Sequence, residues 1–257
     1  IAWLLSHILV RPFDRVTSAI REINDGFNTE QISVSDYVET EHIVNAFNEL
    51  LGRMRTLDES RQEFVSNVSH ELKTPITSMK VLADSLISQE NVPIELYKEF
   101  MTDIAEEIER ENKIITDLLS LVKMDKTSAN LNIENRNLNE LIELILKRLR
   151  PIAKQRNIDV LYESAREVFA EIDEVKLTLA ISNLVENAIK YNNEYGYVKV
   201  SLDADHQFAT IMVEDNGIGI PQEAQEHIFE RFYRVDKSHS REIGGTGLGL
   251  AIARNAI

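Results

Sequence analysis

Six consecutive residues, His70-Glu71-Leu72-Lys73-Thr74-Pro75, put a nucleophilic ring, an acid, a hydroxyl and a helix kink within reach of one another. The surrounding stretch Phe64–Ile87 carries apolar residues at three- and four-residue steps: Val65, Val68, Leu72, Met79, Leu82 and Leu86, with Ile76 and Ala83 filling in. That seam suits a helical bundle. His70 lies off the seam, so its ring sits on the outside of a bundle helix, with Thr74 one turn further along the same face. Pro75 removes the N–H that would bond the Glu71 carbonyl, which predicts a bend just beyond the histidine. An imidazole is largely uncharged at neutral pH and offers a lone pair, while an adjacent carboxylate can take the proton on the other ring nitrogen. Taken alone, the same histidine reads equally well as an ordinary surface residue.

Four further signals lie between Asn183 and the end of the chain. Asn183 and Asn187 are four apart, with Lys190 and Tyr191 on the next turn, so all four share one helix face. An amide oxygen is a hard ligand for Mg²⁺, a lysine neutralises phosphate and a ring can lie near a base. A plain polar helix face is the bland alternative. Asp215, Gly217 and Gly219 follow an apolar strand pattern. A carboxylate there can accept the exocyclic amine of a purine, and the glycines permit positive φ and close backbone approach. Phe229, Phe232 and Tyr233 can anchor a loop against the core, and Arg231 and Arg234 can face phosphate, although such aromatics are more often core. Gly244, Gly245, Gly247 and Gly249 open a helix from Leu248, where exposed N–H groups favour phosphate oxygens. No Gly-Lys-Ser/Thr follows, and position 250 is Leu where a third fingerprint glycine would fall, so neither a Walker A loop nor a dinucleotide fingerprint is present.

The order of these segments resembles the two-component sensor histidine kinases. HELKTP is similar to their phosphoacceptor box. NLVENAIKYN, EDNGIGIP, IFERFYRVD and GGTGLGLAIA resemble the N, G1, F and G2 boxes of their ATP-binding domain, which shares the GHKL fold of gyrase, the Hsp90 chaperones and MutL. The resemblance implies a protein-histidine kinase that phosphorylates His70 from ATP and passes the phosphoryl group to an Asp of a response regulator. It implies Glu71 as proton acceptor and Thr74 as the residue orienting a water for the opposite, phosphatase reaction. It implies ATP contacts from Asn183, Asn187, Lys190, Tyr191, Asp215, Gly217, Gly219, Phe232, Arg234, Gly245, Thr246, Gly247, Leu248 and Gly249, and Mg²⁺ at Asn187. Two other classes stay open: an ATPase clamp of the chaperone type, with no role for His70, and a non-catalytic scaffold.

With 257 residues the chain has room for about two domains. A net charge of −15 and the lack of any basic run exclude a nucleic-acid partner on electrostatic grounds. Six scattered histidines and no cysteine exclude a metal cluster, disulfides and thiolate chemistry. The opening IAWLLSHILV is too short to cross a bilayer, which takes about 20 apolar residues. With Arg11 and Arg15 beyond it, the segment reads as the inner end of a transmembrane helix on the cytoplasmic side of a cell membrane, or as an ordinary core helix.

The expected organisation is multidomain. Residues 1–10 end a transmembrane helix, and 11–57 form two short helices resembling a HAMP relay, with a plain coiled-coil spacer as the alternative. In that connector Val38-Glu39-Thr40-Glu41 keeps the family's Glu and lacks its Gly. Residues 58–126 form an all-α hairpin, with a turn at Gln89–Pro93 and a second helix marked by Met101, Ile104, Ile108, Ile115, Leu118 and Val122. One apolar face per helix predicts a homodimer closing a four-helix bundle. A polar stretch, Lys126–Asn137, reads as the boundary, and 127–257 as an α/β (α+β) sandwich with helices on one face of a mixed sheet.

Overall fold

The computed structural model describes residues 17–18, 38–88, 92–127, 131–235 and 245–257, and the chain divides into two compact units, 1–70 and 71–257. The expected membrane end, the first relay helix apart from residues 17–18, and the connector before Val38 fall outside the described residues, whereas residues 38–41, read as part of that connector, are helical. Helix α1, Val38–Ser88, is unbroken over 51 residues. The sequence reading expects the second relay helix to end within 11–57 and the hairpin to start a new one at 58; instead the two are one. A single glycine, Gly52, and no proline stand at the junction, and exposed Glu49–Arg53 (2.7 Å) and Asp58–Gln62 (2.9 Å) pairs bracket it at helical spacing. Nothing there stops propagation. The helix also continues past Pro75 to Ser88. Among the described residues no helix is long and apolar enough to cross a membrane.

The second unit continues with α2, Ile94–Thr127, whose first turn is closed by the Tyr97 N–H donating to the Pro93 carbonyl at 3.0 Å. Its residues sort onto two faces. Ile114, Leu121 and Met124 are buried, whereas Ile108, Ile115, Leu119 and Val122 stay about half exposed.

Strand β1, Ile133–Asn137, pairs antiparallel with β3, Phe169–Asp173. The sequence reading leaves residues 133–137 in a polar boundary. IENRN alternates nothing and is mostly exposed, so the strand exists through its pairing with β3 rather than through any pattern of its own. A second sheet runs in the order β2 (Asp159–Ser164), β4 (Tyr197–Ala204), β5 (Ala209–Asp215). β2 and β4 are parallel and β4 and β5 antiparallel, so this sheet is mixed.

Helix α3, Leu138–Gln155, starts where the Asn137 side chain accepts from the N–H groups of Asn139 (2.9 Å) and Glu140 (3.3 Å). Leu138, Leu141, Ile142, Ile145, Leu146 and Leu149 form its buried stripe. Helix α4, Glu174–Lys190, starts in the same way from Asp173, which accepts from Val175 and Lys176 at 3.1 Å each. These bonds hold the Asp173 carboxyl below its ordinary range. The stripes of α3 and α4 meet Val198, Val200 and Leu202 of β4 in one apolar core. Only one face of α4 is used in this way; the other carries Asn183, Asn187 and Lys190. Replacing the fully buried Ile145 by Ala should lower the unfolding free energy by about 2–5 kcal/mol, read from the shift of the urea midpoint at unchanged slope.

Candidate nucleotide-binding site

The site begins at the carbonyl end of α4. The last carbonyls of a helix lack intrahelical partners. Here the Arg156 side chain donates to the carbonyls of Ile189 (3.2 Å) and Lys190, fixing the turn from which Lys190 and Tyr191 project. The Tyr191 carbonyl in turn accepts from the Ile218 N–H at 3.1 Å. A Cβ on Gly217 would run into that same Tyr191 oxygen, so only glycine lets the two segments approach this closely. Asparagines lock the pair of loops. Asn193 donates to the Asn216 carbonyl at 2.8 Å, and the Asn216 side chain accepts from the Tyr197 N–H at 2.7 Å. Asp215 closes its own turn by accepting from the Gly217 N–H at 2.9 Å. Gly219 has φ +70° with open space where a side chain would stand.

The Gly-rich segment lies over the polar face of α4. A Cβ on Gly245 would stand 2.8 Å from the Tyr191 hydroxyl and 3.2 Å from Lys190 Nζ. One on Gly249 would stand 2.8 Å from Asn183 Oδ1 and 3.8 Å from Asn187 Nδ2. Asn183 donates its amide to the Leu179 carbonyl at 2.9 Å, which leaves its oxygen toward Gly249. Gly247 has φ +69°, and a Cβ there would sit 2.9 Å from the Phe232 backbone. Phe232 is itself left-handed, at φ 65°, a conformation costing about 1–3 kcal/mol outside glycine. Its N–H donates to the Gly247 carbonyl at 2.9 Å, and it packs against a cluster containing Leu248 and Ile252. Phe232 therefore anchors this loop against buried apolar side chains. Helix α5, Gly249–Ala256, leaves this cradle with Ala251, Ile252 and Ala253 buried.

Arg234 has a side chain only 8% exposed, with Nη1 3.9 Å from Glu71 Oε2. Glu71 is half-buried, and Thr74 and His70 are exposed on α1. Two participants carry no sequence signal. Asp117 of α2 accepts from the Thr246 hydroxyl at 2.9 Å, and that hydroxyl accepts from the Leu248 N–H at 3.3 Å. Lys113, one turn earlier, pairs with Glu186 at 3.0 Å. Neither belongs to a motif; only their spacing on the α2 face that also bears Leu121 and Met124 marks them.

Two family models match in tandem: the His Kinase A (phospho-acceptor) domain over residues 60–127, and the histidine kinase-, DNA gyrase B-, and HSP90-like ATPase over 172–257. The sensor histidine kinase WalK of Bacillus subtilis is 37% identical over 204 residues, covering 78% of this chain and 33% of its own length. The chain belongs to the sensor histidine kinase family. The sensor protein kinase WalK of Staphylococcus aureus is 35% identical over 254 residues, or 93% of this chain and 60% of that protein. This histidine kinase chain thus spans a third to three fifths of the length of these relatives. The histidine kinase ThkA, solved in complex with the response regulator protein TrrA, superposes with a TM-score of 0.59 at 26% identity, covering 74% of this chain and 56% of that one. The Acinetobacter baumannii histidine kinase AdeS shares the fold, with a TM-score of 0.56 at 24% identity over 73% of this chain and 85% of its own.

In this kinase family member, burial, with Lys113 and Arg234 nearby, lowers the Lys190 ammonium to a pKa of about 8. The folded value lies below the unfolded value of 10.5, so the penalty for holding the charge is complete below pH 8 and fades as pH rises toward 10.5. Unfolding free energy should therefore rise across that window. Lys190→Met should flatten the rise in urea titrations compared between pH 7.5 and 10.

Proposed function

We propose that this chain is the catalytic portion of a sensor histidine kinase that autophosphorylates on His70 and passes the phosphoryl group to a response regulator. The observation that carries the reading is the glycine cradle at 245, 247 and 249, laid over two amides, an ammonium and a phenol, in one chain with an exposed His70 followed directly by the half-buried Glu71. ATP is the phosphoryl donor. Lys190 and the Gly-rich backbone would hold its phosphates, and Asp215 would accept the exocyclic amine of adenine. Gly219, Arg234 and Leu248 line the same segments.

Mg²⁺ accompanying the nucleotide supplies Lewis-acid neutralisation of phosphate charge. Asn187 fits it as a single hard amide donor to an ion that otherwise keeps phosphate and water oxygens.

His70 attacks the γ-phosphorus in line: the N–P bond forms, the bond to the bridging oxygen breaks and ADP leaves with the electron pair. The proton on the other ring nitrogen goes to Glu71, which keeps the ring from carrying two positive centres. The regulator's Asp then takes the phosphoryl group as an acyl phosphate, returning His70 to its starting state. Thr74 orients the water that hydrolyses that acyl phosphate in the reverse, phosphatase direction. The half-exposed stripe Ile108, Ile115, Leu119 and Val122 suits a homodimer closing a four-helix bundle. Residues 11–57 would form a HAMP relay below a membrane anchor that ends near residue 10, with hairpin 58–126 and ATP domain 127–257 in the cytoplasm.

Incubated with γ-labelled ATP and Mg²⁺, the protein should acquire acid-labile, base-stable label. His70→Gln should abolish the label while nucleotide affinity is unchanged; retained label would falsify the reading. Asp215→Asn should weaken ATP binding by roughly tenfold, as expected for losing a charge-assisted hydrogen bond, measured by calorimetry.

A further inference from the structure

The Thr246 hydroxyl sits in the middle of the Gly-rich cradle, where a phosphate-binding loop presents its donors, and Thr246 is 8% exposed. Its proton is directed at Asp117 Oδ2, 2.9 Å away on α2. The same carboxylate lies close enough to Lys190 and Lys113 to act on it electrostatically. Asp117 thus takes the hydroxyl proton that a phosphate oxygen would take, with the Lys190 ammonium within its electrostatic range. The contact is not accidental to one side chain. Lys113–Glu186 lies one turn before it, and Leu121 and Met124 pack on Leu248 and Ile252 after it, all on one face of α2.

We propose that Asp117 is a built-in phosphate surrogate: docked on Thr246, it occupies the phosphate end of the cradle, so that seating of α2 and binding of a triphosphate oppose each other. This rests on the reading of the cradle as a nucleotide site. Thr246 donates one proton, and Asp117 and a phosphate oxygen are alternative acceptors for it. The clamp is releasable for a physical reason. Burial pushes the Asp117 carboxyl up from its ordinary range, against the opposing pull of the Thr246 hydroxyl and Lys113. A carboxylate held at such a desolvation cost regains hydration when it leaves. An arriving triphosphate inherits both Thr246 and Lys190. By linkage the effect is reciprocal: nucleotide should loosen the α2 contact by the same factor that the contact weakens nucleotide binding.

The test measures the affinity of a non-hydrolysable ATP analogue with Mg²⁺ for the full chain by calorimetry. Asp117→Ala should tighten binding roughly fivefold or more. Asp117→Asn keeps the volume and an acceptor oxygen while losing the charge, and should tighten binding by a smaller factor. In a Thr246→Val background the gain from Asp117→Ala should shrink to the part carried by charge alone, because the shared hydroxyl is gone. In the unaltered protein the analogue should speed amide hydrogen exchange over residues 114–124. Unchanged or weaker binding in a folded Asp117 variant, or unchanged or slowed exchange over residues 114–124 on nucleotide addition, would overturn the surrogate role. Absence of any binding to the unaltered protein would overturn the nucleotide-site reading itself.

Discussion

Everything at the candidate site depends on backbone approaching backbone where no side chain fits. Gly217 against the Tyr191 carbonyl and Gly247 against Phe232 are contacts that a single methyl group would push apart. A loop meant to surround phosphate must offer N–H groups rather than side chains, and glycine is what allows several of them to converge. The rest of the domain keeps those loops within reach. Arg156 ties off α4, the asparagines at 192, 193 and 216 tie the two turns together, and the Phe232 N–H holds Gly247 in place. Each is a modest hydrogen bond, worth about 0.5–1.5 kcal/mol net. Their effect is positional, since each removes a degree of freedom from a segment that has no regular structure of its own.

Much of this was legible in the sequence, for reasons that differ by element. The long helices announce themselves by three- and four-residue spacing, and β4 by the alternation of Val198, Val200 and Leu202. Asn183, Asn187, Lys190 and the glycines stand out because spacing alone puts the first three on one face, and because four glycines in six positions, 244 to 249, have few structural uses. Where the reading fell short, the cause is tertiary. Strand β1 has no alternation because it lies at the edge of a two-stranded sheet and is mostly exposed. The relay and the His70 hairpin are read as separate segments meeting at 57 and 58, yet a boundary between modules does not end a helix that contains no breaker. Asp117 was invisible because its partner is 129 positions away, and one acidic residue on a charged helix carries no local signature.

The family assignment and the geometry inform each other unevenly. Tandem matches over 60–127 and 172–257 say which modules are present, whereas only the structure reveals that the second helix of the first module packs its buried face on the last helix of the second. The linker between them, which the sequence reading treats as a plain boundary, therefore joins parts that already touch.

Helix α2 is committed on two opposed sides, with Ile108, Ile115 and Val122 outward and Lys113, Asp117, Leu121 and Met124 against the ATP domain. Successive residues on a helix are offset by about 100°, so a single inserted residue would swing everything beyond it out of phase with one side or the other. Such a segment has little room for indels in evolution. Its length and phase are inherited as a unit, and variation is left to substitutions that respect both sides at once.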